Sequence, residues 1–216
     1  MEINISAVAE AVLKAIESNG GISDSSLDIP VGISNRHIHL CREHIDILFG
    51  NGYELTPIKD LSQPGQYACK ELLTIVGPSL RPIENVRVLG PQRKSSQVEI
   101  SRTDSFTLKV KPPVRESGNI AGSAPITIIG PKGVVTLNEG CIIANRHIHM
   151  SLEDGKKFGV NDGDFVTVDA LGERRTRFYD VQVRVDENFR LEMHLDTDDA
   201  NAAGLKNGSK VQISEK

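Results

Sequence analysis

The pentapeptide NRHIH occurs twice in this chain of 216 residues, at 35–39 and again at 145–149. Together the two copies use four of the six histidines. In an α-helix, side chains two positions apart do not share a face, so an HxH pair cannot grip one atom there. In a β-strand they lie on the same face, about 6.6 Å apart along the chain. The repeat therefore predicts two strands that each present a pair of histidines on one face and an isoleucine to the core.

The bulk composition excludes several classes of protein. A content of 38% hydrophobic and 25% charged residues is typical of a soluble globular protein, and a net charge of −4 gives no electrostatic case for a nucleic-acid partner. No apolar run approaches the ~20 residues that span a bilayer, and the N-terminus lacks the features of a secretory signal. Cys41, Cys69 and Cys141 form no CxxC pair, so no disulfide framework is indicated. We expect a cytoplasmic protein without a membrane partner.

Most of the remaining chain alternates apolar and polar residues over short stretches bounded by Gly-Pro turns, which is typical of β-strands. The expected strands lie at 72–76, 86–89, 97–100, 126–129, 165–168, 181–185 and 191–195. A short helix is expected after each NRHIH, at 41–48 and from Ser151, where Asp154 would complete a capping box. This pattern favours a mainly β fold built from small barrels that short helices cap.

A second repeat supports a duplicated barrel. GVNDGDFVTV at 159–168 and GLKNGSKVQI at 204–213 share a glycine, a tight turn and an alternating strand. With the doubled NRHIH, this repeat predicts two related barrels, a first-copy region over 26–144 and a second-copy region over 145–216.

The first 25 residues are predicted to be a helix and a linker. Apolar side chains at Ile5, Val8, Val12 and Ile16 form a helical stripe, and the glycine- and serine-rich stretch 18–26 follows. Such a helix would dock either on its own domain or, in a groove, on a partner.

Two further stretches alternate in the same way and offer a third ligand for each histidine pair. SQVEISRTD at 96–104 and RLEMHLDTD at 190–198 resemble each other, and each follows its NRHIH copy. Their alignment makes Glu99 the counterpart of His194. The predicted ligands are His37, His39 and Glu99 at one metal site, and His147, His149 and His194 at the other. Three protein ligands leave one zinc position open, as at catalytic sites. The alternative is that each HxH is a pair of partly exposed polar residues.

Several other side chains near the histidine motifs could take part in the site. His44 has no counterpart in the second copy, and Ser151 stands where a Cys41 ligand would repeat, so neither is expected to bind metal. Arg93 lies in a turn six residues before Glu99, where it would clamp a phosphate or remain a solvated charge with Lys94. Strand alternation points Arg36 and Arg146, the arginines of the two NRHIH copies, away from the histidines. Both are therefore expected to pair with other residues in a structural role and not to take part in catalysis.

The stretches SNRHIHL, LSQPGQYA, VRVLGPQRKSSQVEISRTD, ANRHIHMS and RLEMHLDTDDANAAG resemble the PduL-type phosphotransacylases, or phosphate propanoyltransferases. The resemblance runs from about Val31 to the end of the chain. It implies two packed, interleaved β-barrels that cross near 26–49, a homodimer, and two zinc ions per chain on the six ligands named above. It also implies that Arg93 is catalytic and binds the phosphoryl group.

The resemblance further implies the reversible exchange of the CoA of propanoyl-CoA or acetyl-CoA for phosphate, as in propanediol degradation. Direct attack of phosphate in a ternary complex would need no protein nucleophile, although Ser34 could orient phosphate and Phe106 could wall the acyl pocket. Relatives in bacterial microcompartments carry a similar N-terminal helix, so residues 1–20 are expected to bind shell proteins and place the enzyme in the lumen. The alternatives are a zinc-dependent acyl-CoA hydrolase and a non-catalytic metal-binding module.

Overall fold

The computed structural model describes residues 27–215. The predicted N-terminal helix and linker lie outside the described residues. Fourteen strands follow in this range: β1 Ile29–Ser34, β2 His37–His39, β3 Pro57–Asp60, β4 Tyr67–Val76, β5 Pro82–Gly90, β6 Gln97–Glu99, β7 Val114–Arg115, β8 Ala124–Ile129, β9 Val134–Ala144, β10 His147–Met150, β11 Phe165–Ala170, β12 Thr176–Val185, β13 Glu192–Asp196 and β14 Lys210–Glu215. The four described helices are α1 Arg42–Phe49, α2 Arg102–Leu108, α3 Leu152–Phe158 and α4 Thr197–Ala203.

Twelve of these strands form two closed six-stranded barrels. In the first barrel the hydrogen-bonded order is β2-β5-β4-β8-β9-β6, and β6 pairs with β2 to close the ring. In the second barrel the order is β10-β12-β11-β14-β1-β13, and β13 pairs with β10. The expected mainly β class with two small barrels and short helices is confirmed.

The two rings have the same pattern of parallel and antiparallel neighbours. In each, the HIH strand runs antiparallel to the strand that carries the expected third ligand, so that His37 lies opposite Glu99 and His147 lies opposite His194. Two connections cross between the rings. Strand β1 leads into the first NRHIH but completes the second barrel, while β9 leads into the second NRHIH but completes the first. The strand before each motif therefore ties that motif to the other barrel.

Alternating side chains fill each barrel, as the period of two requires. The isoleucine of each HIH, Ile38 in one copy and Ile148 in the other, has no exposed surface and lies in the core of its barrel. Around Ile38 pack residues of β4, β5, β8 and α1, whereas Ile148 packs with residues of β11, β12, β13 and α4. The histidines are thereby turned to the opposite face, as predicted.

Short helices begin where a side chain caps them. Ser151 and Asp154 form the predicted capping box at the start of α3, and Ser101 with Asp104 forms a second one at α2. At α4 the Asp196 carboxylate accepts a hydrogen bond from the backbone amide of Asp199. Since each cap satisfies amides that a helix leaves free, these seven-residue helices start at fixed points beside the ligand-bearing strands.

The two turn-and-strand units of the second repeat are neighbours in the fold. They carry β11 and β14, which pair antiparallel in the second barrel, with Val168 opposite Ile213. Their similarity is therefore a repeat within one barrel. Sequence similarity alone does not tell which ring a strand joins.

A close approach in the first barrel gives a test of packing. Gly77 directly follows β4, and an added Cβ there would overlap the backbone carbonyl oxygen of Leu108 at the end of α2. Gly77→Ala is therefore expected to lower the free energy of unfolding by about 1–3 kcal/mol in denaturant titrations. Gly172→Ala is the control, because nothing lies within 4 Å of its added Cβ. Equal stability of the two variants would contradict this account.

Among residues 27–215, no helix is both long enough and apolar enough to cross a membrane.

Candidate active site

The first cluster joins the three predicted side chains His37, His39 and Glu99. Their candidate ligand atoms all lie within 4.8 Å of one another, and all three residues are buried. The Glu99 carboxylate lies 3.4 Å from Nε2 of His37 and 3.9 Å from Nε2 of His39. The antiparallel register of β2 and β6 places these groups together, because it sets His37 opposite Glu99.

Backbone carbonyls hold the far nitrogen of each histidine in this cluster. Nδ1 of His37 lies 2.8 Å from the Asn35 carbonyl oxygen, and Nδ1 of His39 lies 3.3 Å from that of Leu89. A carbonyl oxygen only accepts, so the neutral ring carries its proton on Nδ1 and turns the Nε2 lone pair toward Glu99. This second contact orients a ligating histidine in metal proteins.

Polar neighbours hold Glu99 as a carboxylate. Gln97 Nε2 and the Ser117 hydroxyl both donate to its Oε1, at 2.6 and 2.8 Å. Burial would raise the pKa of Glu99, but the charges of His37 and His39 and the hydrogen bonds of His37 and Ser117 lower it well below its ordinary value. The cluster thus offers an anionic oxygen at any pH near neutrality.

The two histidines of this cluster differ in their basicity. Burial would lower the pKa of His37, but the charge and hydrogen bond of Glu99 raise it above its ordinary value. Burial, together with repulsion from His37 and Arg93, lowers the pKa of His39 to about 3. His39 is therefore neutral at physiological pH, the state in which imidazole binds metals.

The second cluster joins His147 and His149 on β10 with His194 on β13. Their candidate ligand atoms also lie within 4.8 Å of one another. The ring centroids are 4.7 to 5.1 Å apart. Nδ1 of His147 lies 2.7 Å from the Asn145 carbonyl oxygen, which repeats the contact of His37 with Asn35. The duplicated pentapeptide therefore builds the same local geometry twice.

Two imidazoles of this cluster, those of His147 and His149, are poor bases. Burial, with repulsion from His194, lowers the pKa of His147 to about 4, and burial, with repulsion from His147, lowers that of His149 to about 2. Nδ1 of His149 is buried and has no hydrogen-bond partner among residues 27–215. A buried ring nitrogen without a partner is costly in a protein that binds nothing there. The donor set fits a borderline metal ion such as zinc.

Glu192 stands beside the second cluster. It lies opposite His149 as Gln97 lies opposite His39, so the two occupy equivalent places. Its carboxylate accepts a hydrogen bond from the Ser62 hydroxyl. One carboxylate oxygen lies 2.7 Å from Nε2 of His194. Burial would raise the pKa of Glu192, but the contacts with His194 and Ser62 lower it below its ordinary value.

A single cavity of about 720 Å³ contains both clusters. It lies between the barrels, and each barrel contributes residues to its wall. Arg93 lines it on the first barrel's side, where a backbone hydrogen bond to the Leu40 carbonyl fixes its loop and its guanidinium donates to the Ser117 hydroxyl at 3.0 Å. Ser117 therefore links Arg93 to Glu99. The cavity brings two candidate metal sites and the Arg93 guanidinium to one place.

The other residues singled out in the sequence lie as follows. Cys41 and His44 both contact Ser96, and among residues 27–215 neither belongs to one of the two clusters. Ser34 lines the cavity. Phe106 does not, because its side chain lies on α2 with 66% of its surface exposed. The suggestion that Phe106 walls the acyl pocket was therefore wrong.

The arginines of the two pentapeptides form ion pairs, as expected. Arg36 contacts Asp104 at 2.8 Å, and Arg146 contacts Asp199 at 3.3 Å. Asp104 and Asp199 occupy equivalent first turns of α2 and α4, so each pair fixes its motif to the helix that follows the third ligand.

Sequence reasoning missed three residues that line the cavity: Ser117, Arg184 and Phe189. Arg184 pairs with Glu116 at 3.2 Å, and its charge contributes to the lowered pKa values of His147, His149 and Arg93. Ser117 and Arg184 belong to no motif. Ser117 lies 18 residues after Glu99, and Arg184 lies 10 residues before His194. The alternation of β12 could have placed Arg184 on a polar face, but nothing in it indicates a cleft.

Comparison with known proteins assigns the chain to a family. The family model of phosphate propanoyltransferase matches residues 30–206, which is most of the chain. This chain belongs to the phosphate propanoyltransferase family. The family is one of acyltransferases, as the resemblance of the motifs implied.

Relatives of the same family match over most of their length. The phosphate propanoyltransferase of Lachnoclostridium phytofermentans is 60% identical over 86% of this chain and 86% of its own. That of Thermotoga maritima is 59% identical over 87% of this chain and 89% of its own. That of Listeria monocytogenes is 47% identical over 100% of this chain and 97% of its own. The chain is thus similar to phosphate propanoyltransferases along its whole length.

Proposed function

We propose that this chain is a phosphate acyltransferase that converts propanoyl-CoA or acetyl-CoA and phosphate into acyl phosphate and free CoA. One observation carries the proposal: two three-ligand clusters and Arg93 face the same cavity. Phosphate propanoyltransferase relatives at 47–60% identity support it. In the reaction the thioester C–S bond breaks, a bond forms between the carbonyl carbon and a phosphate oxygen, and the departing sulfur ends as the CoA thiol.

The six ligands would hold two zinc ions, one in each cluster. When bound, zinc would supply Lewis-acid polarisation of the reacting oxygens and stabilise the charge of the departing thiolate. The protein's own part is to keep the ligands ready. Lowered pKa values leave His39, His147 and His149 unprotonated, and hydrogen bonds from Gln97 and Ser117 fix Glu99.

Arg93 is proposed to bind the phosphate. A guanidinium offers two parallel donors that match two phosphate oxygens. The contact with Ser117 and the backbone bond to Leu40 hold its position, so little conformational freedom is lost when the anion binds. The Arg93 side chain is half-buried in the cleft. The lower local dielectric there strengthens its attraction to the phosphate anion.

Transfer is proposed to be direct, within a ternary complex. The cysteines do not offer a nucleophile, because Cys69 and Cys141 are fully buried in the first barrel and burial raises their pKa values to about 11 and 12. Cys41 does not line the cavity. The nucleophile is then phosphate itself, which Arg93 would hold in place against the thioester.

The proposal is tested by product analysis with propanoyl-CoA. Acyl phosphate trapped as its hydroxamate is expected to equal the free CoA released, and both should require phosphate. Labelled CoA should not exchange into propanoyl-CoA when phosphate is absent, because no acyl-enzyme forms. Free propanoate released without phosphate would indicate a hydrolase, and phosphate-independent exchange would indicate a covalent intermediate. Metal content without turnover of any acyl-CoA would indicate a binding module.

The N-terminal segment and the assembly of the chain are proposed from the sequence alone. Residues 1–20 would attach the enzyme to the shell of a bacterial microcompartment, and the chain would form a homodimer. Deletion of 1–20 is expected to leave kcat and KM unchanged but to release the enzyme from purified compartments. If the deletion instead lowers the unfolding temperature and the activity together, the segment is structural. The mass in solution tests the dimer.

A further inference from the structure

The two barrels carry different side chains into the cavity at equivalent connections. In the first barrel, residues 91–96 link β5 to β6 and bring in Arg93. In the second, residues 186–191 link β12 to β13 and bring in Phe189. Arg93 precedes Glu99 by six residues, and Phe189 precedes His194 by five. Across the duplication, one connection therefore presents a cation to the cavity and the other an aromatic ring.

A hydrogen-bonded turn fixes the position of Phe189. Its amide donates to the Asp186 carbonyl at 3.1 Å, and the Asn188 amide donates to the Asp186 carboxylate at 2.9 Å. The half-buried ring lies with its centroid 4.3 Å from that of His149, and the Arg184 guanidinium lies 5.6 Å from it on the ring's face. The ring thus stands directly against a predicted metal ligand.

An apolar ring at this place matches one part of the substrate. A short acyl-CoA has its reacting carbonyl next to a small alkyl group, so a carbonyl held at the clusters places that alkyl group within a few ångströms of them. Of the other apolar residues of the wall, Val31, Ile100 and Leu195 have at most 3% of their surface exposed because their side chains fill the cores, whereas Ile33, Leu61 and Leu89 are half-buried. Phe189 offers its ring to the cavity itself.

We propose that Phe189 packs against the acyl chain and limits its length. This inference rests on the proposed acyl transfer and names the residue that selects the substrate. A single methylene changes the specificity of an apolar pocket by about 10- to 200-fold, so the size of one ring at the end of the chain is enough to separate neighbouring acyl groups. The reacting carbonyl and the phosphate are unaffected by this choice.

The test compares kcat/KM for acetyl-, propanoyl- and butanoyl-CoA in three variants of the full chain. Phe189→Ala enlarges the space for the acyl chain. It is expected to raise the ratio of kcat/KM for butanoyl-CoA to that for propanoyl-CoA by at least about tenfold. Phe189→Trp reduces the space for the acyl chain and should lower the ratio of kcat/KM for propanoyl-CoA to that for acetyl-CoA. Phe165→Ala removes an exposed ring of β11 outside the cavity and should leave every ratio unchanged. Phe189→Leu replaces the alanine variant if the latter does not fold.

Opposite shifts in the alanine and tryptophan variants would support the inference. Unchanged ratios would overturn it, and so would an equal loss with every acyl chain, because the ring would then only support His149 or Arg184. Measurement of phosphate-dependent CoA release by the wild type distinguishes these results from a failure of the proposed function. If it releases no CoA from any acyl-CoA in a phosphate-dependent way, the acyltransferase assignment fails before the ratios are measured.

Discussion

Glu99→Ala is expected to reduce the metal content from two ions per chain to one and to lower phosphate-dependent CoA release by at least about 100-fold. Residues that merely orient a ligand cost 10- to 100-fold when removed, so loss of a ligand should reach the upper end. The remaining pair of His37 and His39 would keep only two donors. Glu99 is also the one anionic group of the two clusters, so its loss changes the charge of the site.

Elemental analysis of the purified variant and CoA release with saturating phosphate measure this result. Glu84→Ala is a matched control, because Glu84 is an exposed carboxylate of β5 in the same barrel. Glu99→Gln keeps the shape and should behave like the alanine variant, since the amide oxygen is a weaker ligand. Two bound ions and the full rate in Glu99→Ala would refute the assignment of this cluster.

Arg93→Ala is the second large effect. It should lower kcat/KM for phosphate by about 100- to 1,000-fold, the usual loss when one preorganised donor to a charged reacting group is removed. Both metal ions should remain bound, because Arg93 is not a ligand. Arg93→Lys should recover only part of the loss, since an ammonium group cannot pair with two oxygens at once.

Steady-state rates at varied phosphate and fixed propanoyl-CoA measure the effect. The neighbouring side chain gives the control, because Lys94 is exposed and does not line the cavity. Lys94→Ala should leave the kinetics unchanged. An equal fall in both variants would mean that the loop responds to any loss of charge, and an unchanged KM and kcat for Arg93→Ala would remove it from the site.

Local patterns were enough to predict much of the candidate site. The spacing of HxH makes sense only on a strand, and the alternation around Glu99 and His194 places both on a polar face, so the clusters followed from a period of two. The same reasoning set Ile38 and Ile148 in the cores. The strand and core inferences depend on residues a few positions apart, whereas the choice of Glu99 and His194 as third ligands came from the alignment of 96–104 with 190–198.

The rest depends on contacts between distant parts of the chain. Strand β1 belongs to the second barrel because it pairs in parallel with β13, which lies more than 150 residues away. The sequence of β1 does not indicate which strand it pairs with. Phe106 and Phe189 look alike in the sequence, yet one is exposed on a helix and the other faces the cleft. Only the packing of one barrel against the other decides which side chains meet the clusters.

Anomalous diffraction at the zinc edge, from crystals of the full chain, would test most directly whether the doubled pentapeptide builds two metal sites in one cavity. We expect two peaks in the cavity between the barrels, one bounded by His37, His39 and Glu99 and the other by His147, His149 and His194. A single peak, peaks away from these side chains, or none in protein purified with zinc present would contradict it.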